Sequence, residues 1–143
     1  MISDERGQGS VEILFLILIL ALLFFGGIEL SQGVLLKHAL DVGTEKAARL
    51  LSVNPADYGV AEDLIRDEVD GNLLGRGYGD RVTVGLYDAD TMASIAPSDL
   101  AAAGFSYRFV VRTEVPWEVS VPFLPLGTKM MTVEHQGLVE RFP

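Results

Sequence analysis

Polar and apolar positions divide the chain into three zones. Met1 to Gly7 is a short polar leader. From Ile13 to Ile28, sixteen residues follow without a charge: Ile-Leu-Phe-Leu-Ile-Leu-Ile-Leu-Ala-Leu-Leu-Phe-Phe-Gly-Gly-Ile. This run has no polar stripe, and a helix that is apolar all round belongs in lipid or in a fully packed core. As a helix it covers about 24 Å, at about 1.5 Å per residue. That falls a little short of a ~30 Å hydrocarbon core. Val11 and Leu30 lengthen it, and Glu12 and Glu29 stand where its ends would meet the interfaces. A secretory signal has a basic start and a small-x-small cleavage site after the apolar run. Here Arg6 is the only base before the run, and no such site follows it. The pattern predicts a retained membrane helix, with residues 11–30 against lipid. Positive charges do not set its direction: Arg6 lies on one side, and Lys37, Lys46 and Arg49 lie on the other.

The third zone alternates between helical and strand periods. Val34, Leu35, His38, Val42, Ala48 and Leu51 recur at loose helical spacing, which predicts that the helix continues through Ser31 to Ser52. Glu45 and Arg49 make a favourable i,i+4 pair within it. Pro55 disfavours helical geometry at Asn54 and ends the helix there. A second, amphipathic helix is predicted from Asp57 to about Leu74, with Val60, Ala61, Leu64, Ile65, Val69 and Leu73 on its apolar stripe. Gly71 to Gly79 reads as a connector, because it lacks the ordered Gly and Lys-Ser/Thr spacing of a phosphate loop. Strands are predicted at Arg81–Tyr87, Phe105–Val121 and Thr128–Phe142. The second is the clearest. Phe105, Tyr107, Phe109, Val111, Thr113, Val115, Trp117, Val119 and Val121 share one face.

Smaller signals fill in the rest. Pro116 marks an edge or bulge, Pro122–Gly127 a turn or loop, and Gly137 a bulge. Ser98 is placed as the cap of a helical turn over Asp99–Ala103. The expected fold class is α+β: a long N-terminal transmembrane helix continuing into an extracytoplasmic helix. A second amphipathic helix then packs on a small antiparallel sheet of about three strands. Tyr107, Phe109, Trp117 and Val119 are expected to form the core against the Val60–Leu73 helix. The expected divisions are a leader at 1–7, a helix at 8–53 and a head at 54–143.

Composition removes several classes of function. The formal net charge is −9, and no basic run occurs, so binding to a nucleic-acid backbone is not expected. The chain has no cysteine, which rules out disulfides and thiolate metal sites. His38 and His135 lie on different elements without a second ligand at metal spacing, and each reads as a surface or interface residue. Asp88 and Asp90 lack the spacing of a calcium loop and read as a turn. No nucleophile, base and orienting group come together, so no enzyme activity, metal or cofactor is expected.

One motif remains. Gly7-Gln8-Gly9-Ser10-Val11-Glu12 joins the leader to the apolar run. A carboxylate at the mouth of a membrane helix is costly and marks a functional position. The junction resembles the N-terminus of class III signal-peptide proteins, the type IV pilins and pseudopilins. That resemblance implies a cut between Gly7 and Gln8 by a prepilin peptidase on the cytoplasmic side. Glu12 would then be the fifth residue of the mature chain, and the apolar helix would be retained. It also implies that Glu12 pairs with a new N-terminal amine during filament assembly.

Further along, Gly-Gly-Ile-Glu-Leu30, Lys46-Ala-Ala-Arg49 before Asn54-Pro55, and the ending Val-Glu-Arg141 extend the likeness. Together they resemble the TadE-like pseudopilins of tight-adherence pili. The implied partners are other pilin or pseudopilin subunits, the prepilin peptidase and membrane lipid. The implied location is a single-pass cell membrane protein with an extracytoplasmic C-terminal domain, or a pilus after assembly. The Gly-Gln-x-Ser-x-Glu form of residues 7–12 is equally similar to archaeal pilins. A major filament subunit, or an anchored binding module that never polymerises, are the alternative readings.

Overall fold

The computed structural model describes residues 5–72 and 77–141, with side chains from Gly9 onward. Met1 to Asp4 of the leader, Leu73 and Leu74 of the expected second helix, and Phe142 lie outside the described residues. The fold is α+β, as the periodicities predict. Helix α1 (Glu5–Val53) is continuous for 49 residues, about 74 Å. It begins within the leader, before the apolar run. Helix α2 (Tyr58–Asn72) follows after Pro55. Then come a single 3-10 turn (Gly79–Arg81), strand β1 (Thr83–Asp88), the short helix α3 (Pro97–Ala101), and strands β2 (Arg108–Val121) and β3 (Leu124–Leu138). The three strands form an antiparallel sheet in the order β1-β2-β3.

Helix α1 has two unlike halves. Its side chains from Gly9 to Leu20 are all exposed. From Glu29 onward one stripe is buried: Glu29, Gly33, Leu36, Leu40, Thr44, Ala47 and Leu51, at spacings of three and four. Of the expected stripe, Ala48 and Leu51 are buried and its earlier half is not. Val34, Leu35 and His38 face outward. The true seam uses Gly, Ala and Thr, which let backbones approach closely and carry little hydropathy signal. At Gly43 an added Cβ would stand 3.2 Å from the Ile65 Cα, so α2 lies directly against α1. Ala61, Ile65 and Val69 of α2 are buried in one core cluster with Leu86, Phe109, Val111 and Val115 of the sheet. Val60, expected on that stripe, is exposed.

The sheet packs on α1 as well. Phe109, Val111, Thr113 and Val115 of β2 are fully buried, as their alternation predicts. Phe105 precedes the strand and is exposed. Trp117 is half-buried against the core cluster and reaches α1. Its indole covers Gly33 of α1, where an added Cβ would fall 2.6 Å from Trp117 Cζ2. The long β2 carries Trp117 past the end of β1, which pairs only as far as Glu114. Pro116 therefore occupies a locally open edge opposite β1, and a register shift follows between Glu118 and Ser120.

Three local expectations change. Pro122–Gly127 is not a loop: only Pro122 and Phe123 turn the chain, and Leu124 already pairs with Val121. Uncharged residues with strand-forming neighbours extend the ladder almost to the tip. Gly137 is not a bulge but the partner of Phe109. An added Cβ there would come within 2.3 Å of Phe109 Cζ, so glycine leaves room for the buried ring. Ser98 does not cap α3. Its N-cap is Ala96, and Asp99 Oδ2 accepts the Ala96 amide at 3.3 Å.

The last residues tie the sheet back to α1. Leu138 N donates to Ser52 Oγ at 3.2 Å, and Glu140 N donates to Ser52 O at 2.8 Å. Val139 between them is fully buried. The strand ends at Leu138: beyond it the Val139 amide donates to the Tyr107 carbonyl at 2.9 Å, and the Glu140 amide turns to the end of the helix. The core spans the helix end at residue 53, taking in α1 from Gly33 on.

Candidate functional site

The N-terminal junction lies on regular helix. Gly7, Gln8 and Glu12 all belong to α1. Gln8 and Glu12 are four positions apart on this helix, about one turn and 6 Å along its axis. Side chains on a helix lean toward its N-terminus, so Glu12 leans back over the turn that begins at Gln8. Glu12 is exposed, and so are its apolar neighbours, with Leu14 71% exposed. From Gly9 through Leu20 no part of the head covers the helix. The apolar window of α1 is long enough to cross a membrane, and none of it is buried.

A groove of 390 Å³ opens where the head first meets this helix. Leu22, Gly26 and Glu29 form one wall, and Trp117, Val119 and Leu124 of the hairpin form the other. Lys129 lies at its edge. Glu29 is only 9% exposed, so the hairpin shields a residue that hydropathy places at an open interface. Neither the groove nor the docking of Trp117 on Gly33 was visible in the sequence. The uncharged stretch from Val119 to Thr128 was the available signal.

The other candidate polar residues hold the head together. Asp88 Oδ1 accepts from the amides of Asp90 and Thr91 at 2.9 and 2.8 Å and from Thr91 Oγ1 at 3.0 Å. Its Oδ2 accepts from the Tyr107 hydroxyl at 2.7 Å. These bonds, Tyr107's first, hold the Asp88 carboxyl down at about 2. The same contact pushes the Tyr107 hydroxyl up to about 12. Asp90 pairs with Arg108. Both carboxylates thus serve internal donors across the 88–93 turn rather than facing a common cation.

His135 Nε2 lies 2.8 Å from Asp41 Oδ1, joining β3 to α1, while His38 is exposed on α1. Lys46 pairs with Glu68 at 2.5 Å, and this bond lowers the Glu68 pKa. Glu45 and Arg49 form the expected i,i+4 pair at 2.5 Å. The arrangement offers charge pairing between elements and one large bare apolar surface. No family model, curated protein or solved structure matches the chain.

Proposed function

We propose that this chain is a pseudopilin or minor pilin of a type IV-like, tight-adherence filament, cut after Gly7 and assembled through α1. The observation that supports this reading best is the division of one continuous helix into a bare half and an embedded half. The embedded half shares one buried core with the head. The bare half presents an apolar rod with a single carboxylate, Glu12, near its start.

Such a rod has two stable settings, lipid or a bundle of like helices. In either one, Glu12 costs a few kcal/mol unless it meets a positive group. Cleavage between Gly7 and Gln8 creates such a group, an amine one helical turn away. In a bundle, the amine of one subunit and Glu12 of a neighbour would meet only at one axial offset. The pair would therefore set the stagger of subunits, as single polar residues set register in coiled coils. The Gly7 and Gly9 positions favour access for the peptidase, because each glycine weakens the helix by about 1 kcal/mol relative to alanine.

The test is Glu12→Leu in the native host. The variant should remain in the membrane fraction and still be cut. Its recovery in sheared filaments should fall at least tenfold, because the subunit loses its axial register. Incorporation equal to wild type would refute the role of Glu12.

A further inference from the structure

We infer that the tip of the β2–β3 hairpin, Val121 to Leu126, is a second membrane-contacting element that enters the lipid interface beside α1. This rests on the reading of α1 as a membrane helix. The first observation is depth. β2 descends along α1 toward its N-terminus, from Thr113 beside Thr44 to Trp117 on Gly33. Val121 and Leu124 then share the groove with Leu22 and Gly26. Leu22 precedes Ile28 by six residues in the apolar run, about 9 Å along the axis. With the apolar run in the bilayer, the tip is carried below its upper edge, to a depth typical of interfacial elements, about 5–10 Å.

Chemistry gives the second observation. From Val119 to Thr128 the hairpin has no charged residue. Phe123 is 84% exposed, and Leu124 and Leu126 are about half exposed. Phe123 also takes φ +68°, a left-handed conformation that bulky residues avoid, and it projects its ring outward from the turn. Polar groups appear where the interface would lie. Trp117 pairs with Lys129 across the strands, and Glu118 pairs with Thr128. An amphipathic indole and a lysine able to reach the headgroups suit that level. The apolar tip is continuous with the bare surface of α1, so one lipid phase would cover both.

The absence of cysteine permits single-site nitroxide labelling of the full chain in phosphatidylcholine–phosphatidylglycerol vesicles. Labels go on Phe123→Cys and Leu126→Cys, the latter keeping the Phe123 ring. Leu20→Cys reports on α1, and Ala102→Cys reports on the far end of the head. Labels at 20, 123 and 126 should be severalfold more accessible to oxygen than to a water-soluble nickel chelate, relative to 102. A label at 20 in lipid with 123 and 126 behaving like 102 would overturn the inference. So would 123 and 126 shielded from both reagents, which would mean cover by a second copy. A label at 20 that reads as aqueous would instead overturn the membrane reading of α1 itself.

Discussion

Thr44 and Thr113 meet at 2.7 Å in the core, with both side chains fully buried. Thr44 Oγ1 also lies 2.6 Å from the Leu40 carbonyl and Thr113 Oγ1 3.4 Å from the Val133 carbonyl, so the two hydroxyl protons serve three contacts. The alternation of β2 placed Thr113 on the inner face correctly. Its partner was not legible, because no local pattern links residues on two elements so far apart in sequence. Asp88 shows the same limit. The sequence marks it as a turn residue, but the Tyr107 bond depends on the register of β1 with β2.

That bond carries a pH prediction. The folded carboxyl is held at about 2, below its ordinary value of 3.8. A depressed carboxyl stabilises the fold above the unfolded value, and this contribution is lost as pH falls through the folded value. Asp88→Asn should therefore lower the melting temperature at neutral pH. The gap from wild type should narrow between pH 3.8 and about 2. Thermal melts across that range check it, and a gap independent of pH would count against the assignment.

At the scale of elements, helix and strand periods located every major element. Their mutual packing was less visible, because glycine and alanine mark the seams. The α1 stripe looks ragged in hydropathy since Gly33, Gly43 and Ala47 are small, yet all three are buried, and at Gly33 and Gly43 another element lies within 3.2 Å of where a Cβ would stand. The sequence predicts two strands joined by a turn or loop over Pro122–Gly127, because two prolines and a glycine stand there; the turn takes only Pro122 and Phe123. Proline tolerates the open side of a strand, so the ladder continues past Pro125.

Gly33→Val tests the seam between helix and hairpin. The new side chain would displace the Trp117 ring, and overpacking of this kind costs about 1–3 kcal/mol. Trp117 is the sole tryptophan, so its emission should shift to the red as the indole meets water. Unchanged emission and stability would refute the contact.

The whole molecule is one long helix with a head packed around its C-terminal half. That half is also the centre of the head's core. Leu36, Leu40 and Leu51 of α1 are fully buried, and each such side chain contributes about 1.5–3 kcal/mol. Their sum rivals the ~5–15 kcal/mol that stabilises an entire domain. A fragment beginning at Ser31 should fold cooperatively, while one beginning at Asn54 should not. Circular dichroism and chemical denaturation separate the two. Cooperative unfolding of the shorter fragment would contradict this view of the core.

This architecture also explains why the bare half of α1 is free for another role. Helix residues that serve the head end near Glu29; among the described residues, those from Gly9 to Leu20 are exposed, and the hairpin tip shares a groove with Leu22 and Gly26. The junction at Gly7 to Glu12 lies at the far end of that free surface. Among the described residues, no part of the head covers the helix from Gly9 to Leu20, just after the proposed cut.

The central claim is that the chain is a processed filament subunit. Intact-mass spectrometry of the protein recovered from host membranes tests it most directly. In cells with an active prepilin peptidase the mature chain should begin at Gln8, and the full chain from Met1 should persist when that peptidase is deleted. A chain still beginning at Met1 in the presence of the active peptidase would contradict it.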